Sequence, residues 1–163
     1  MSKPNIQKMI KEYVDKNYPE KVAYYYKELK RLRILKLKKY SNVIFLNHDL
    51  LWQDDESIKD LKLSALGSLR YCRSLKLATK RDWRLPSYSE LLTITNYFRY
   101  DPAKIDGIRF MRSNKYWTAT PDASDVSANW YIDFKYGQTG ADLRDIKSNV
   151  RCVRDMEKEG ELF

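Results

Sequence analysis

Few side chains in this sequence are equipped for catalysis or metal binding. There is one histidine, His48, and there are two cysteines, Cys72 and Cys152. A single histidine excludes a metal site built from several imidazoles. No Ser-His-Asp set can be argued from position, and His48, between Asn47 and Asp49, reads as a turn residue. The chain has no Gly-rich phosphate loop and no G-x-S-x-G elbow. Asp122, Asp125, Asp142 and Asp145 could gather oxygen ligands, but their spacing matches no calcium loop and they read as solvated loop carboxylates. We expect no catalytic residue, no metal and no cofactor.

The elements that must position any site centre on Asp82-Trp83-Arg84-Leu85-Pro86-Ser87-Tyr88-Ser89-Glu90-Leu91. Pro86 fixes its own φ and pushes Leu85 toward extended backbone. Ser87, with Glu90 three residues on, forms a capping box. The stretch therefore predicts a corner followed by a helix that Leu91, Leu92, Ile94 and Tyr97 continue. Trp83 is expected in the core, with Trp83 or Arg84 in an exposed binding groove as the functional alternative, and Asp82 and Arg84 are expected to pair with each other or with nearby backbone. Upstream, Val43–Leu46 and Leu50–Trp52 predict a hairpin. Ile58, Leu61, Ala65, Leu69 and Cys72 then predict a helix from about Ser57 to Leu75. Downstream strands are expected over Tyr116–Thr120, Trp130–Phe134 and Asn149–Arg154, with a turn at Tyr136-Gly137-Gln138. Long loops at Asp101–Asn114, Pro121–Asn129 and Asp142–Ser148 are the expected recognition surface.

Charge divides the chain. The net charge is +9. Residues 1–40 hold twelve Lys/Arg against four Asp/Glu, and the remainder hold nineteen against eighteen. The spacing of Ile6, Met9, Ile10, Tyr13 and Val14 predicts one amphipathic helix, ended by Pro19. Val22, Tyr25, Tyr26, Leu29 and Leu32 predict a second. Lys27, Lys30, Arg31, Arg33, Lys36, Lys38 and Lys39 form a basic set. Its bland reading is a solvated face, and its functional reading is contact with a polyanion: nucleic acid, sulfated glycan or anionic lipid. Nucleic acid ranks low, because no recognised nucleic-acid motif is present. The chain shows no signal peptide and no apolar run long enough to span a membrane.

The central stretch resembles the D-W-R-L-P-(S/T)-x-x-E-L signature of the collagen-like-adhesin (Lcl) C-terminal domain family. Leu50-Leu51-Trp52-Gln53-Asp54, Tyr116-Trp117-Thr118-Ala119-Thr120-Pro121 and Asn149-Val150-Arg151-Cys152-Val153-Arg154 resemble three further motifs in the family's order. Asn129–Phe134 followed by Gly137 also fits. Trp52, Asp82, Trp83, Arg84, Leu85, Pro86, Glu90, Trp117, Trp130 and Arg151 are read as fold-marking, structural residues. The resemblance implies an α+β, C-type-lectin-like domain of two helices and small irregular antiparallel sheets, a fold shared with formylglycine-generating enzymes. The expected layout is a basic helical extension over 1–42, the domain over 43–155 and a tail over 156–163.

The same resemblance places Cys72 in the first helix and Cys152 in the closing strand. These elements are neighbours in that fold, which implies a disulfide and an oxidising compartment. Two buried thiols are the alternative. The E-P-N, Q-P-D and W-N-D tripeptides of calcium-dependent sugar binding are absent. The expectation is a non-enzymatic binding or scaffold module of the bacterial cell envelope, periplasmic or exported, with cytoplasm as the alternative. Its partner would be an envelope protein or a glycan, and residues 1–40 would dock or self-associate as a homo-oligomer.

Overall fold

The computed structural model describes residues 43–156 apart from 48, and within the first 42 residues only 16, 19, 20, 24, 27, 28 and 31. The chain separates into two compact units, Met1–Lys39 and Tyr40–Phe163. In the first unit every described residue is helical. Arg31 pairs with Glu28 at 3.5 Å, and Lys27 is exposed. Both amphipathic stripes, and Lys30, Arg33, Lys36, Lys38 and Lys39, lie outside the described residues.

The second unit is α+β. Strands β1 (Ile44–Asn47) and β2 (Leu50–Gln53) form a hairpin, and β8 (Val153–Asp155) pairs with β2 to complete a three-stranded sheet. The second sheet has the order β3 (Lys62–Leu63), β7 (Ser148–Asn149), β4 (Lys115–Pro121), β5 (Ala128–Asp133), β6 (Gln138–Leu143). All pairings are antiparallel except the short β4–β7 contact at Tyr116 and Asn149. Helix α1 is Ala65–Ser74 and helix α2 is Tyr88–Leu92.

The expected helix from Ser57 to Leu75 is corrected to a single 3-10 turn, a short strand and then α1. Two serine and aspartate caps decide this. Asp55 accepts from the Ser57 amide, and Ser64 accepts from the Gly67 amide, so each starts a separate turn. Between them Lys62 and Leu63 pair with Asn149 and Ser148. The expected continuation of α2 to Tyr97 also fails. Thr93, Ile94 and Thr95 are a β-branched run, which weakens the helix. The chain instead pairs back: Asn96 donates to the Ala103 carbonyl and Ile105 to the Ile94 carbonyl. The closing strand divides between the two sheets as β7 and β8, with Val150-Arg151-Cys152 as the joint.

One core cluster contains Trp52, Leu91, Ile94, Ile108, Met111, Tyr116, Ile132, Phe134 and Val153. β4 contributes Tyr116 to it and β5 contributes Ile132. Tyr116 and Phe134 meet edge-on at 5.3 Å between centroids.

Candidate functional site

The central stretch is a packed corner. Asp82 pairs with Arg154 through two contacts of 2.7 and 2.8 Å. Arg84 pairs with Glu90 at 2.6 and 2.7 Å, and with Asp155 at 3.2 Å. Asp82 and Arg84 therefore do not pair with each other. Ser87 and Glu90 form the expected capping box. Hydrogen bonding to Arg154 holds the Asp82 carboxyl below its ordinary value. Burial would raise Glu90, but Arg84 and the Ser87 amide outweigh it and lower it. Trp83, Leu85 and Pro86 are buried. Trp83 donates to the Leu77 carbonyl, and Ala119 donates to the Pro86 carbonyl.

Of the remaining fold-marking residues, Trp52, Trp117 and Arg151 are buried. Trp52 and Trp117 are inaccessible, and Trp117 donates to the Leu63 carbonyl at 3.0 Å. Trp130 is half-buried against Tyr88, 5.4 Å between centroids. Arg151 is fully buried and donates to the Gln53 and Phe110 carbonyls and to Asp54 at 3.2 Å. Each of these contacts joins the motif to a neighbouring strand or loop. Cys72 and Cys152 form a disulfide, both sulfurs in the interior, with Cα atoms 5.4 Å apart.

The loop carboxylates do not converge. Asp122 caps Ser124 and Asp125 caps Ser127 in successive turns, while Asp142 pairs with Lys115 at 2.9 Å. Among the described residues no group of three or more His, Cys, Asp or Glu could hold a metal ion. None of the helices among them is long and apolar enough to cross a membrane.

What the structure does present is an aromatic loop. After α2 the chain exposes Tyr97, Phe98 and Tyr100 in succession, and Phe98 is 100% exposed. The loop is fixed despite this exposure. The Phe98 amide donates to the Asn96 side chain, Asp101 to the Lys135 carbonyl, and Ala103 to the Phe134 carbonyl at 2.6 Å. Arg99 is tied to Asp106 by contacts of 2.5 and 3.1 Å. Beside the loop, the β5–β6 turn exposes Tyr136, with the Lys135 ammonium 5.3 Å from its ring centre. Gly137 has φ +74°, and a Cβ there would lie 3.2 Å from the Tyr97 ring. Glycine thus allows both the turn and the close ring contact. Phe98, Arg99, Tyr100, Pro102 and Lys104 line a shallow depression of about 380 Å³. Exposed large apolar side chains gathered in one place mark interaction surfaces. The expected recognition loop began at Asp101, so it missed these aromatics. The signal was Asn96-Tyr97-Phe98-Arg99-Tyr100-Asp101-Pro102, three aromatics bracketed by turn-forming residues.

No curated protein matches this chain in sequence. Residues 43–154, which span both sheets and both helices of the second unit, match the sequence model of the Lcl C-terminal domain. The chain belongs to the Lcl C-terminal domain family.

Proposed function

We propose that this chain is a non-enzymatic binding module of the bacterial cell envelope, periplasmic or exported. On this reading, residues 43–155 form a C-type-lectin-like scaffold that presents its loops to a protein or glycan partner. Residues 1–42 are a helical extension that docks or self-associates, and residues 156–163 are a tail. The observation that carries the proposal is the fixed, exposed aromatic loop around Phe98. A fully exposed phenylalanine with its backbone held needs little ordering on binding, so most of its burial is gained as affinity. The Cys72–Cys152 bridge supports an oxidising compartment. Family membership supports the envelope setting.

The test is binding of the full-length chain to a glycan array and to purified envelope proteins, followed by titration of each hit. The Phe98→Ala and Tyr100→Ala variants should lose about tenfold or more in affinity while keeping the parent's melting temperature. Unchanged affinity in both would remove the loop from the binding surface.

A second reading rests on charge. The first forty residues carry a net +8, from twelve basic and four acidic side chains. Polyanion binding there would involve Lys27, Lys30, Arg31, Arg33, Lys36, Lys38 and Lys39. Its affinity would fall steeply with salt as counterions are released. Heparin retention that is flat with salt would exclude it.

A further inference from the structure

Apolar side chains outside the core gather at the two ends of one strand. β6 is an edge strand of the five-stranded sheet. At its start stand Tyr136, 54% exposed, and Tyr97, whose ring packs on Gly137. At its end stand Leu143, 49% exposed, and Ile146. Val126 adjoins them, because Ala128 pairs with Leu143 and Arg144 donates to the Ser127 carbonyl. Among the described residues, Thr139, Gly140, Ala141 and Asp142 make no backbone hydrogen bond outside the pairing with β5.

Proteins that stay monomeric blunt such edges with lysine, proline, a bulge or a covering segment. β6 has six residues, no proline and no lysine. Its register with β5 is unbroken from Ala128–Leu143 to Asp133–Gln138. Its one charge, Asp142, is already neutralised by Lys115. The strand is a ready template for another.

We propose that β6 is a self-pairing edge, to which a second copy of this chain adds its own β6 in antiparallel register about a two-fold axis. Three observations favour a second copy as the occupant. Opposed residues in an antiparallel pair share a face, so the axis falls on a residue rather than between two. With the axis at Gly140 or at Ala141, the residues that meet are small. In either register Asp142 lies opposite an uncharged residue of the second copy, Gln138 or Gly140, and never opposite a carboxylate. Finally, the antiparallel sense sets the Tyr97–Tyr136 end of each copy beside the Leu143–Ile146 end of the other. One isologous contact therefore covers both apolar ends. The contact shares the Tyr97–Tyr136 end with the Phe98 loop, and its test reads mass rather than ligand binding.

The test is sedimentation equilibrium of the full-length, oxidised chain from about 1 µM to about 1 mM, the range of weak symmetric association. The expected mass rises from 19.5 kDa toward twice that value. Thr139→Lys and Leu143→Glu should each hold the chain at monomer mass without moving its melting temperature. Both positions are exposed, and each variant sets a charge against the second copy. The T139K/L143E double variant should regain the dimer, because the new cation and anion then lie within reach across the axis. Recovery by the double variant cannot come from misfolding. A monomer at every concentration, or a dimer untouched by either single variant, would overturn the proposal.

Discussion

A guanidinium with no access to water has to be answered from inside the protein. Arg151 is answered by the Gln53 and Phe110 carbonyls and by Asp54, itself 1% exposed. Asp54 also accepts from the amides of Arg109 and Phe110 and from the Arg109 side chain. Burial alone would raise the Asp54 carboxyl. The Arg151 charge and these amides outweigh burial and hold it below its ordinary value of 3.8. Removing the carboxylate strands a buried charge. Asp54→Ala should therefore lower unfolding stability by about 3–5 kcal/mol in urea titration. An unchanged midpoint would mean that Arg151 is satisfied by carbonyls alone. The pH dependence follows from the direction of the shift. A carboxyl lowered by folding contributes its stability above the unfolded value, and that contribution is lost as pH falls through the folded one. The parent should thus hold its stability from neutrality to about pH 4 and lose it below. Asp54→Asn should lose less over that acid range.

At the scale of the element, α2 is only five residues long and depends on its start. An isolated helix of that length does not persist in water. Ser87 and Glu90 satisfy two of its orphan amides, and the Tyr88 amide donates to Thr120 on β4. Ser87→Ala should cost about 1 kcal/mol. Glu90→Gln keeps an acceptor for the Ser87 amide but removes the charge facing Arg84, whose side chain is 38% exposed. Solvent screens that pair, so Glu90→Gln should cost less than Ser87→Ala in the same urea series. The reverse order would make the ion pair, not the cap, the stronger restraint. This box could be read directly from the sequence, because capping is local chemistry at fixed spacing. So could Trp83 in the core and the hairpin ahead of Trp52. The limits of α1 could not. Periodicity joined Ile58 to Cys72, but Lys62 and Leu63 are claimed by β7, eighty-five residues later. The Phe98 loop was missed for a related reason. Tyr97 fits the apolar spacing of α2, and only the pairing of 94–96 with 103–105 turns the chain out to water.

At the scale of the whole unit, residues 148–155 join what would otherwise be two separate sheets. β7 belongs to the five-stranded sheet and β8 to the three-stranded one, and the peptide between them carries Arg151 and Cys152. The disulfide fastens that joint to α1, across a sequence separation of 80 residues. Neither sheet is large, and the hairpin β1–β2 has four residues per strand. Small sheets of this kind gain stability only by packing together. A cross-link closing about 80 residues restricts the unfolded chain by about 4–5 kcal/mol on the chain-entropy account. That is a large fraction of the 5–15 kcal/mol typical of a domain. The Cys72→Ala/Cys152→Ala double variant should therefore have a lower urea midpoint by an amount equivalent to about 4 kcal/mol. Its unfolding slope should be steeper, because the unlinked chain exposes more surface when it unfolds. A lowered midpoint with an unchanged slope would place the loss in the folded packing around α1 and the joint rather than in the unfolded chain. An unchanged midpoint would mean that packing around Arg151 holds the two sheets together without the bridge.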